Sequence, residues 1–398
     1  MHKKNLWITL LLILAIISIG GCGQATPEPT PTVTRTPLPS PTATSEPTAT
    51  PTATPKPTAT PTPDLAVVTP FPPDVNPLTG EKMESEEALD HIPIAIKVSN
   101  SPEVRPQSGL GSADLIFEHF AEGGITRFTT IFYGHSPEQV GSVRSGRLID
   151  LEVPAMYHAL FAYSGSSAGV KDLIRQSPLF PDQIAAPDFG VGQPYFYRVP
   201  QEGKAFEHTL FTNPEVLRQL AAEREINQRP EFPRLMAFTE APVVEGASVD
   251  YFEINYLPGA CTAEWTYDGA QQRWLRQTAG WTHTDYLTGE QLTAANVVLV
   301  HANHVEAGFW EEMIGDRSNW KRSIQIQVWG SGPALIMRDG QMFQAYWHRE
   351  DPSHMMTFTD DAGNPVPLKQ GNTWFQMVPL DTTSEEFDEA KLRFTPQR

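Results

Sequence analysis

The stretch from Arg105 to Asp150 reads RPQSGLGSADLIFEHFAEGGITRFTTIFYGHSPEQVGSVRSGRLID. It contains two apolar runs, 115–120 and 125–133, on either side of Glu122-Gly123-Gly124. Two such runs joined by a short connection that contains glycine are typical of a β-hairpin. The paired glycines suit the connection because glycine adopts positive φ angles without a Cβ clash. The stretch therefore predicts a hairpin at the centre of the fold.

The same stretch carries many more charged residues than a structural hairpin needs. Arginines bind carboxylate or phosphate groups through paired hydrogen bonds, and neighbouring carboxylates orient the guanidinium planes. We therefore interpret the charged set as a candidate ligand-binding site for an anion. Its members are Arg105, Glu118, Glu122, Arg127, Arg144, Arg147 and Asp150. Since a hairpin brings its two ends together, we expect Arg105, Arg144 and Arg147 to converge.

Two other roles for these charges remain open. Glu118 and Glu122 would share a proton if they stood side by side, as the paired acids of glycosidases do. Arginines close to them would instead favour the ionised form of both carboxylates. The set would then be a buried ion-pair network that holds the fold or clamps a ligand.

The N-terminus has the pattern of an exported lipoprotein. Lys3 and Lys4 precede an almost unbroken apolar run from residue 6 to residue 19, which is short for a membrane span. The run ends in Ile19-Gly20-Gly21-Cys22, which matches a lipobox, the site where a bacterial cysteine receives acyl chains such as palmitate. Residues 1–22 are therefore predicted to be a lipoprotein signal peptide, with Cys22 as the lipidation site. An uncleaved anchor helix is the alternative. Either way, the chain is expected at the cell membrane, lipid-anchored in the favoured case, on the extracytoplasmic face.

Residues 23–75 alternate proline with threonine and contain almost no large apolar side chain before Leu65. Such a segment does not bury enough surface to offset its chain entropy, and proline favours extended polyproline II. At about 3.1 Å per residue, some fifty residues span roughly 150 Å. We predict a disordered stalk that separates the folded part from the membrane.

The formal net charge of −18 falls on the remainder of the chain, because the signal peptide (+2) and the stalk (−2) cancel. This acidity argues against nucleic acid as a partner and against direct adhesion to anionic lipid or polyanionic wall polymers. The chain has 2 cysteines, and if Cys22 carries lipid, Cys261 has no disulfide partner. We interpret Cys261 as a small apolar core residue.

Residues 76–240 are predicted to form an α/β N-terminal domain. Its expected elements are a strand at 92–98, the hairpin, a buried strand at 157–163, a turn at 164–169 and helices at 170–176 and 214–224. Asn213 and Pro214 mark the start of the last helix, because asparagine is a favoured N-cap and proline a favoured first helical residue.

Residues 241–385 are predicted to form a mainly antiparallel β C-terminal domain. Short apolar segments alternate there with turn sequences such as Asp268-Gly269 and Asp339-Gly340. Eight of the 9 tryptophans lie between Trp265 and Trp374. They would form either a sugar-stacking platform or the core of a thin β domain, and we favour the core.

Ten short motifs in the two halves resemble those of the YerB-like bacterial lipoproteins, a two-domain family of unknown function. They are RPQSGL from Arg105, ADLIFE from Ala113, EGGITRF from Glu122, GSVRSGR from Gly141, WTY from Trp265, TGE from Thr288, NVV from Asn296, GSG from Gly330, RDG from Arg338 and GNTW from Gly371. The resemblance implies two domains and a lipid anchor. It implies no role for any single residue.

Gly165-Ser166-Ser167-Ala168-Gly169 matches the nucleophile motif G-x-S-x-G between a predicted strand and a helix. A hydrolase would use Ser167 there, with His208 or His283 as its base. The same turn would also present backbone N–H groups to an anion. A structural strand-to-helix turn is the favoured interpretation, because too few βα units surround the motif.

His301 and His304 have a spacing seen in metal sites, and His283 with Asp285 would complete such a site. However, residues three apart on a straight strand face opposite sides, so a shared metal needs a distorted strand. Histidines satisfied by hydrogen bonds are the favoured interpretation, and no metal or cofactor is predicted.

Together these features predict a membrane-anchored lipoprotein that acts as a ligand- or protein-binding accessory module of the cell envelope. Expected partners are the membrane, through the N-terminal lipid, and an envelope protein or an anionic wall-related ligand. The alternative is an envelope hydrolase that uses Ser167 or a histidine metal site.

Overall fold

The computed structural model describes residues 70–200, 202–241, 245–313 and 315–397. The predicted signal peptide, the lipidation site Cys22 and nearly all of the stalk lie outside these residues. Among the described residues, no helix combines the length and the apolar character that a membrane crossing requires.

The first half of the folded part is a mixture of strands and helices, as predicted. Its strands are β1 (Ile94–Ser99), β2 (Leu115–Phe120), β3 (Thr126–Phe132), β4 (Val140–Gly141), β5 (Leu160–Ala162), β6 (Ile184–Ala185), β7 (Tyr197–Arg198) and β8 (Leu210–Thr212). Its α-helices are α1 (Val153–Met156), α2 (Ala168–Gln176) and α3 (Pro214–Glu223). Short 3-10 turns lie at Glu86–Leu89, Pro102–Val104, Leu110–Ser112, Glu122–Gly124, Leu148–Leu151, Pro187–Phe189 and Phe206–His208.

The second half consists of strands and one 3-10 turn (Arg317–Asn319) in its described part. Its strands are β9 (Ala247–Ser248), β10 (Tyr251–Asn255), β11 (Thr262–Asp268), β12 (Arg273–Thr278), β13 (Trp281–Thr282), β14 (Thr293–Ala294), β15 (Asn296–Glu312), β16 (Lys321–Gln327), β17 (Gly330–Arg338), β18 (Gln341–Arg349), β19 (Thr357–Thr359), β20 (Thr373–Pro379), β21 (Thr383–Asp388) and β22 (Lys391–Thr395).

The predicted hairpin is confirmed. Strands β2 and β3 pair antiparallel, with Glu118 opposite Phe128 and His119 opposite Arg127. Gly123 and Gly124 connect them with φ angles of 77° and 87°. These are left-handed conformations that a residue with a Cβ adopts only at a cost, which explains the glycine pair.

The predicted cap of α3 is confirmed, because the Asn213 side chain accepts a hydrogen bond from Val216 N. Helix α2 begins at Ala168, before the predicted residue 170, and Ser167 caps it by accepting a hydrogen bond from Val170 N, a role that was not predicted. The strand predicted at 157–163 is shorter, because α1 and a turn with His158 at a φ of 49° occupy its beginning.

A twelve-stranded sheet runs through both halves of the chain, in the order β19-β18-β17-β15-β20-β2-β3-β1-β5-β6, with β16 and β9 paired to β15 and β18. Strand β20, from the second half, lies between β2 and β15 and is parallel to both. All of its residues are buried. The boundary predicted near residue 240 therefore divides the sequence but not the sheet.

Two smaller sheets complete the described structure. One has the order β13-β12-β11-β10-β22-β21 with β14 paired to β12, and the other has the order β4-β8-β7. The C-terminal strands are mostly antiparallel, as predicted, apart from the parallel pairs that β20 and β22 make.

The large sheet has an apolar core on each face, because successive side chains of a strand point to opposite sides. Phe117 and Phe375 lie in the core on one side, here called the first face. Ile116 and Trp374 lie in the core on the other side, the second face. Both cores draw residues from both halves of the chain.

The eight tryptophans in the described residues fall into three groups. Four of them are buried in the cores, as predicted, and they are Trp265, Trp274, Trp347 and Trp374. Trp281 and Trp329 are exposed, and Trp310 and Trp320 are half-buried. Cys261 is fully buried, which confirms its assignment to the core.

Strand β15 continues beyond the large sheet. Its first residues pair with β17 and β20, whereas residues 303–312 pair only with β16. We call residues 303–312 together with β16 the arm.

Candidate functional site

The charged residues of the hairpin belong to different faces of the sheet. Glu118 lies on the second face, where its Oε2 accepts a hydrogen bond of 2.8 Å from Arg276 and its Oε1 accepts one of 2.8 Å from Thr126. Both Glu118 and Arg276 are fully buried. The Arg276 guanidinium also stacks on Trp374 at 4.5 Å from the ring centroid. Arg276 was not singled out from the sequence, although its inward position on alternating β12 was a usable signal.

His283 completes this second-face network. Its Nδ1 accepts a hydrogen bond of 3.0 Å from Arg276 Nε, and its Nε2 lies 2.7 Å from Gln107 Oε1. Burial, together with the nearby Arg276, holds the pKa of His283 well below its ordinary value. The ring is therefore a neutral structural partner of the arginine.

Asp150 lies on the first face and pairs with Lys97. Lys97 Nζ is 2.8 Å from Asp150 Oδ1, 2.6 Å from His119 Nε2 and 2.8 Å from Thr129 Oγ1. Burial lowers the pKa of Lys97 to about 8, against the opposing attraction of Asp150. Burial also holds the pKa of His119 well below its ordinary value, so the neutral ring accepts the lysine hydrogen bond. This cluster has no exposed member and holds β1, β2 and β3 together.

Arg105 does not join the other arginines. Its Nε donates to Asn100 Oδ1 at 3.1 Å, and one Nη donates to the carbonyls of Asn100 and Ala260, both at 2.7 Å. Arg276 and Glu118, which belong to the second face, act electrostatically on Arg105. Arg144 and Arg147 lie beside Arg127 of the first face. Within the described residues Arg105 shares no hydrogen-bond or ion-pair partner with Arg144 or Arg147, so the structure does not show the expected clamp of three arginines.

Arg147 is the link between three segments. Its Nε lies 2.5 Å from Glu122 Oε2, in the turn between β2 and β3, and its Nη1 lies 3.0 Å from Glu311 Oε1 on the arm. Glu311 Oε2 in turn accepts a 2.8 Å hydrogen bond from Ser167 Oγ, at the start of α2. Burial raises the pKa of Glu311, while Arg147 opposes the shift. This chain of contacts fixes the arm against the sheet.

Arg127 and Arg144 complete the first-face arginines. Arg127 donates to the Ser145 carbonyl at 2.6 Å, and burial together with Arg147 lowers its pKa to about 9. Arg144 is half-buried, and within the described ranges its side chain has no hydrogen bond or ion pair. Burial lowers its pKa, and Glu207 opposes that shift. Of the arginines predicted to bind a ligand, Arg144 is thus the one whose guanidinium is not already bound within the described structure.

A cleft of about 890 Å³ lies between the arm, the turn after β2 and the segment after β20. Its walls include Phe120, Glu122, Trp310, Trp320, Arg322 and Asp381. No pattern in the sequence brought these residues together, apart from the presence of Glu122 in the hairpin.

Glu122, in the wall of this cleft, has a carboxylate oxygen without a hydrogen-bond partner in the described structure. Its side chain is 1% exposed, and Arg147 binds only one of its oxygens. The other oxygen, Oε1, has no hydrogen-bond partner among the residues that the structure describes. A buried carboxylate oxygen without a partner is costly, and a donor from a ligand would remove that cost.

The arm supplies an aromatic pair. The rings of Trp310 and Trp320 are 5.6 Å apart and meet at 75°, an edge-to-face arrangement. The Arg322 guanidinium lies over Trp310 at 4.5 Å from the ring centroid and so holds the indole in place.

A second cleft of about 310 Å³ is lined by Arg105, His283 and the exposed Trp281. Both of its ionisable residues are engaged in the hydrogen bonds described above. It therefore offers a ligand less unsatisfied polar surface than the larger cleft.

The structure also shows the contacts of the residues in the two predicted catalytic alternatives. Ser167 contacts a carboxylate, Glu311, and within the described chain no histidine bonds to it. Asp285 accepts hydrogen bonds from the backbone N–H groups of Gly109 and Gly111, away from His301 and His304. Among the residues in view there is no group of three or more histidine, cysteine, aspartate or glutamate side chains arranged to hold a metal.

Most of the folded part of the chain matches known proteins. Residues 78–227 match the N-terminal domain of the protein of unknown function DUF3048, and residues 252–375 match its C-terminal domain. The chain is 29% identical over 313 residues to a Bacillus subtilis (strain 168) protein named as a candidate lipoprotein, YerB, with 77% of this chain and 87% of that protein covered. The crystal structure of the YerB protein from Bacillus subtilis superposes with a TM-score of 0.63 at 26% identity, covering 77% of this chain and 97% of that one.

Proposed function

The chain belongs to the two-domain DUF3048 family of proteins of unknown function, and from this premise we propose that it is a lipid-anchored binding protein of the cell envelope. The lipobox at Cys22 and the naming of its relative YerB as a candidate lipoprotein support the anchor. The stalk would then carry the folded part away from the cell membrane on the extracytoplasmic side, within reach of wall components.

The ligand site in this proposal is the cleft beside the arm. The observation that carries it is Glu122 Oε1, a buried carboxylate oxygen in the cleft wall that no described residue satisfies. A volume of about 890 Å³ falls within the range of ligand pockets, about 300–1,000 Å³. Aromatic walls with a few polar groups are also typical of such sites.

Co-sedimentation of the full chain, held in detergent micelles, with purified bacterial wall fragments tests this function. We expect the wild-type protein to bind and Trp310→Ala, in the cleft, to lose binding. Trp329→Ala is the matched control, because Trp329 is an exposed tryptophan outside the cleft. Equal binding by all three proteins would place the ligand elsewhere, and no binding by the wild type would reject the function.

A second candidate function is favoured by one contact, the 2.8 Å hydrogen bond from Ser167 Oγ to Glu311 Oε2. Because burial raises the pKa of Glu311, this carboxylate is a better proton acceptor than an ordinary glutamate. In an acyl transfer, the Ser167 proton would pass to Glu311 while Oγ bonds to the acyl carbon, and Glu311 would return that proton to the leaving group as its bond to the acyl carbon breaks. A water would then add its hydroxyl to the acyl carbon and its proton to Oγ, which releases the acid and restores Ser167. The bond from Val170 N to the same Oγ favours a helix cap instead.

A fluorophosphonate probe tests the hydrolase. Stable labelling of Ser167, absent in Ser167→Ala, would support it. A full chain that remains unlabelled while it binds wall fragments would leave only the binding function.

An anionic wall-related ligand remains a further proposal, and it would bind at Arg144. Arg127 and Arg147 beside it are already bound to Ser145 and to the glutamates. Binding of inorganic polyphosphate by the wild type but not by Arg144→Ala would support this site, and equal binding by both would reject it.

A further inference from the structure

We propose that the cleft beside the arm binds an uncharged oligosaccharide, with a sugar ring packed on the Trp310–Trp320 pair and a hydroxyl or amide N–H bonded to Glu122 Oε1. This inference rests on the proposed function, because it takes the same cleft as the ligand site. The charges, the unsatisfied acceptor and the aromatic walls each select for this class of ligand.

The charges of the cleft give no net attraction for an anion. Three carboxylates line it, those of Glu122, Glu306 and Asp381, against the two cations Lys321 and Arg322. Arg147 contacts Glu122 from behind but is shared with Glu311 on the arm, so it adds no excess positive charge. An anionic ligand would therefore add to the negative charge already in excess, whereas a neutral ligand would not.

The acceptor on Glu122 excludes the anions that the arginines first suggested. Carboxylate and phosphate groups that are ionised at neutral pH accept hydrogen bonds, and they repel a carboxylate that needs a donor. A hydroxyl group donates to such an oxygen and, through its own oxygen, accepts from a cation such as Lys321. A sugar carries several hydroxyl groups, so it would donate a hydrogen bond to the Glu122 oxygen and accept one from Lys321 at the same time.

The aromatic pair supplies the apolar part of recognition. A pyranose ring has a face of C–H groups, and that face packs on the flat surface of an aromatic ring. Arg322 covers one side of the Trp310 indole and keeps the ring oriented. Phe120, Ile324 and Leu380 extend the apolar wall. Because the cleft lies near the upper end of the usual size range of ligand pockets, a chain of sugar rings suits it better than a single ring.

Isothermal titration of the full chain in detergent micelles tests the inference with two uncharged probes, the tetramer of N-acetylglucosamine and the tetramer of glucose. We expect at least one to bind the wild type, and binding to weaken by about tenfold or more in Trp310→Ala, the usual effect of losing an interfacial tryptophan. Trp310→Phe should retain part of the affinity, because a smaller aromatic face remains. Trp329→Ala should bind as the wild type does.

The two probes distinguish which groups of the sugar the cleft recognises. Binding of the acetylated tetramer alone would point to acetamido glycans, such as those of a bacterial wall, and binding of both would point to hydroxyl recognition in general. No binding of either tetramer, or equal affinity in Trp310→Ala, would overturn the inference.

Binding to wall fragments digested with a muramidase distinguishes a failure of the sugar inference from a failure of the proposed function. If neither intact nor digested fragments bind the wild type, the proposed function fails together with the inference. If peptide-containing digests still bind the wild type but not Trp310→Ala, the cleft is a ligand site for peptide, and the sugar inference fails while the binding function stands.

Discussion

Arg147 Nε lies 2.5 Å from Glu122 Oε2, although 25 residues separate the two in the chain. The same guanidinium reaches Glu311 on the arm at 3.0 Å. One buried arginine thus compensates two buried carboxylates, one in the hairpin turn and one in the second half of the chain. Four predictions, three from the structure and one from the sequence, are open to direct measurement.

The first prediction concerns the stability that Arg147 provides. Arg147→Ala leaves the buried Glu122 and Glu311 carboxylates without their cation, so we expect it to lower the free energy of unfolding by about 3–5 kcal/mol. Arg144→Ala is the matched control, and its loss should be about 1 kcal/mol or less, because no partner in the described structure depends on Arg144. Denaturant titration of both variants measures the difference. Similar losses in the two variants would show that Arg147 is not the link.

The second prediction concerns acid stability. His119 and His283 are buried and neutral, with pKa values well below the ordinary 6.5. The unfolded chain binds their protons as pH falls below about 6.5 and the native chain does not, so stability is complete above that pH and falls below it. Each histidine should contribute a slope of up to about 1.4 kcal/mol per pH unit.

Unfolding free energies of wild type and His119→Gln between pH 7.5 and pH 5 measure this slope. Groups that titrate equally in the two proteins contribute equally to both curves, so their contributions cancel when one curve is subtracted from the other. We expect the variant to lose stability less steeply than the wild type. Parallel curves would mean that His119 binds its proton over the same pH range in the native state as in the unfolded chain.

The third prediction concerns the anchor. If Cys22 is lipidated, Cys22→Ser should leave the signal peptide uncleaved or release the protein from the membrane fraction. Cell fractionation and the intact mass of the protein report the two outcomes. A variant with the wild-type mass and the wild-type distribution would show that Cys22 carries no lipid.

The fourth prediction concerns the boundary between the halves. A protease site inserted after Ala241, which is exposed, should allow complete cleavage there. The two pieces should nevertheless elute together in size-exclusion chromatography, because β20 of the second half lies between β2 and β15 in one sheet. They should separate only after denaturation. Immediate separation under native conditions would mean that each half has a core of its own.

Much of the local structure could be predicted because it depends on neighbours in sequence. The hairpin follows from two apolar runs around paired glycines, and the cap at Asn213 follows from a side chain that bonds within its own first turn. The burial of Trp265 and Trp374 follows from their apolar area. The matches to both DUF3048 domains agree with the motifs of the two halves.

The partners of the charges and the cleft itself were decided by tertiary structure. Glu118 and His119 are neighbours in sequence, yet strand alternation sends one to Arg276 and the other to Lys97, on opposite faces of the sheet. Arg276 is 158 residues from Glu118, and the arm meets Glu122 only because β20 joins the two halves. Local propensity acts over a few residues, whereas these contacts depend on which strands pair across the whole sheet. The sequence alone therefore determined the elements and the family, and the packing of the strands determined the site.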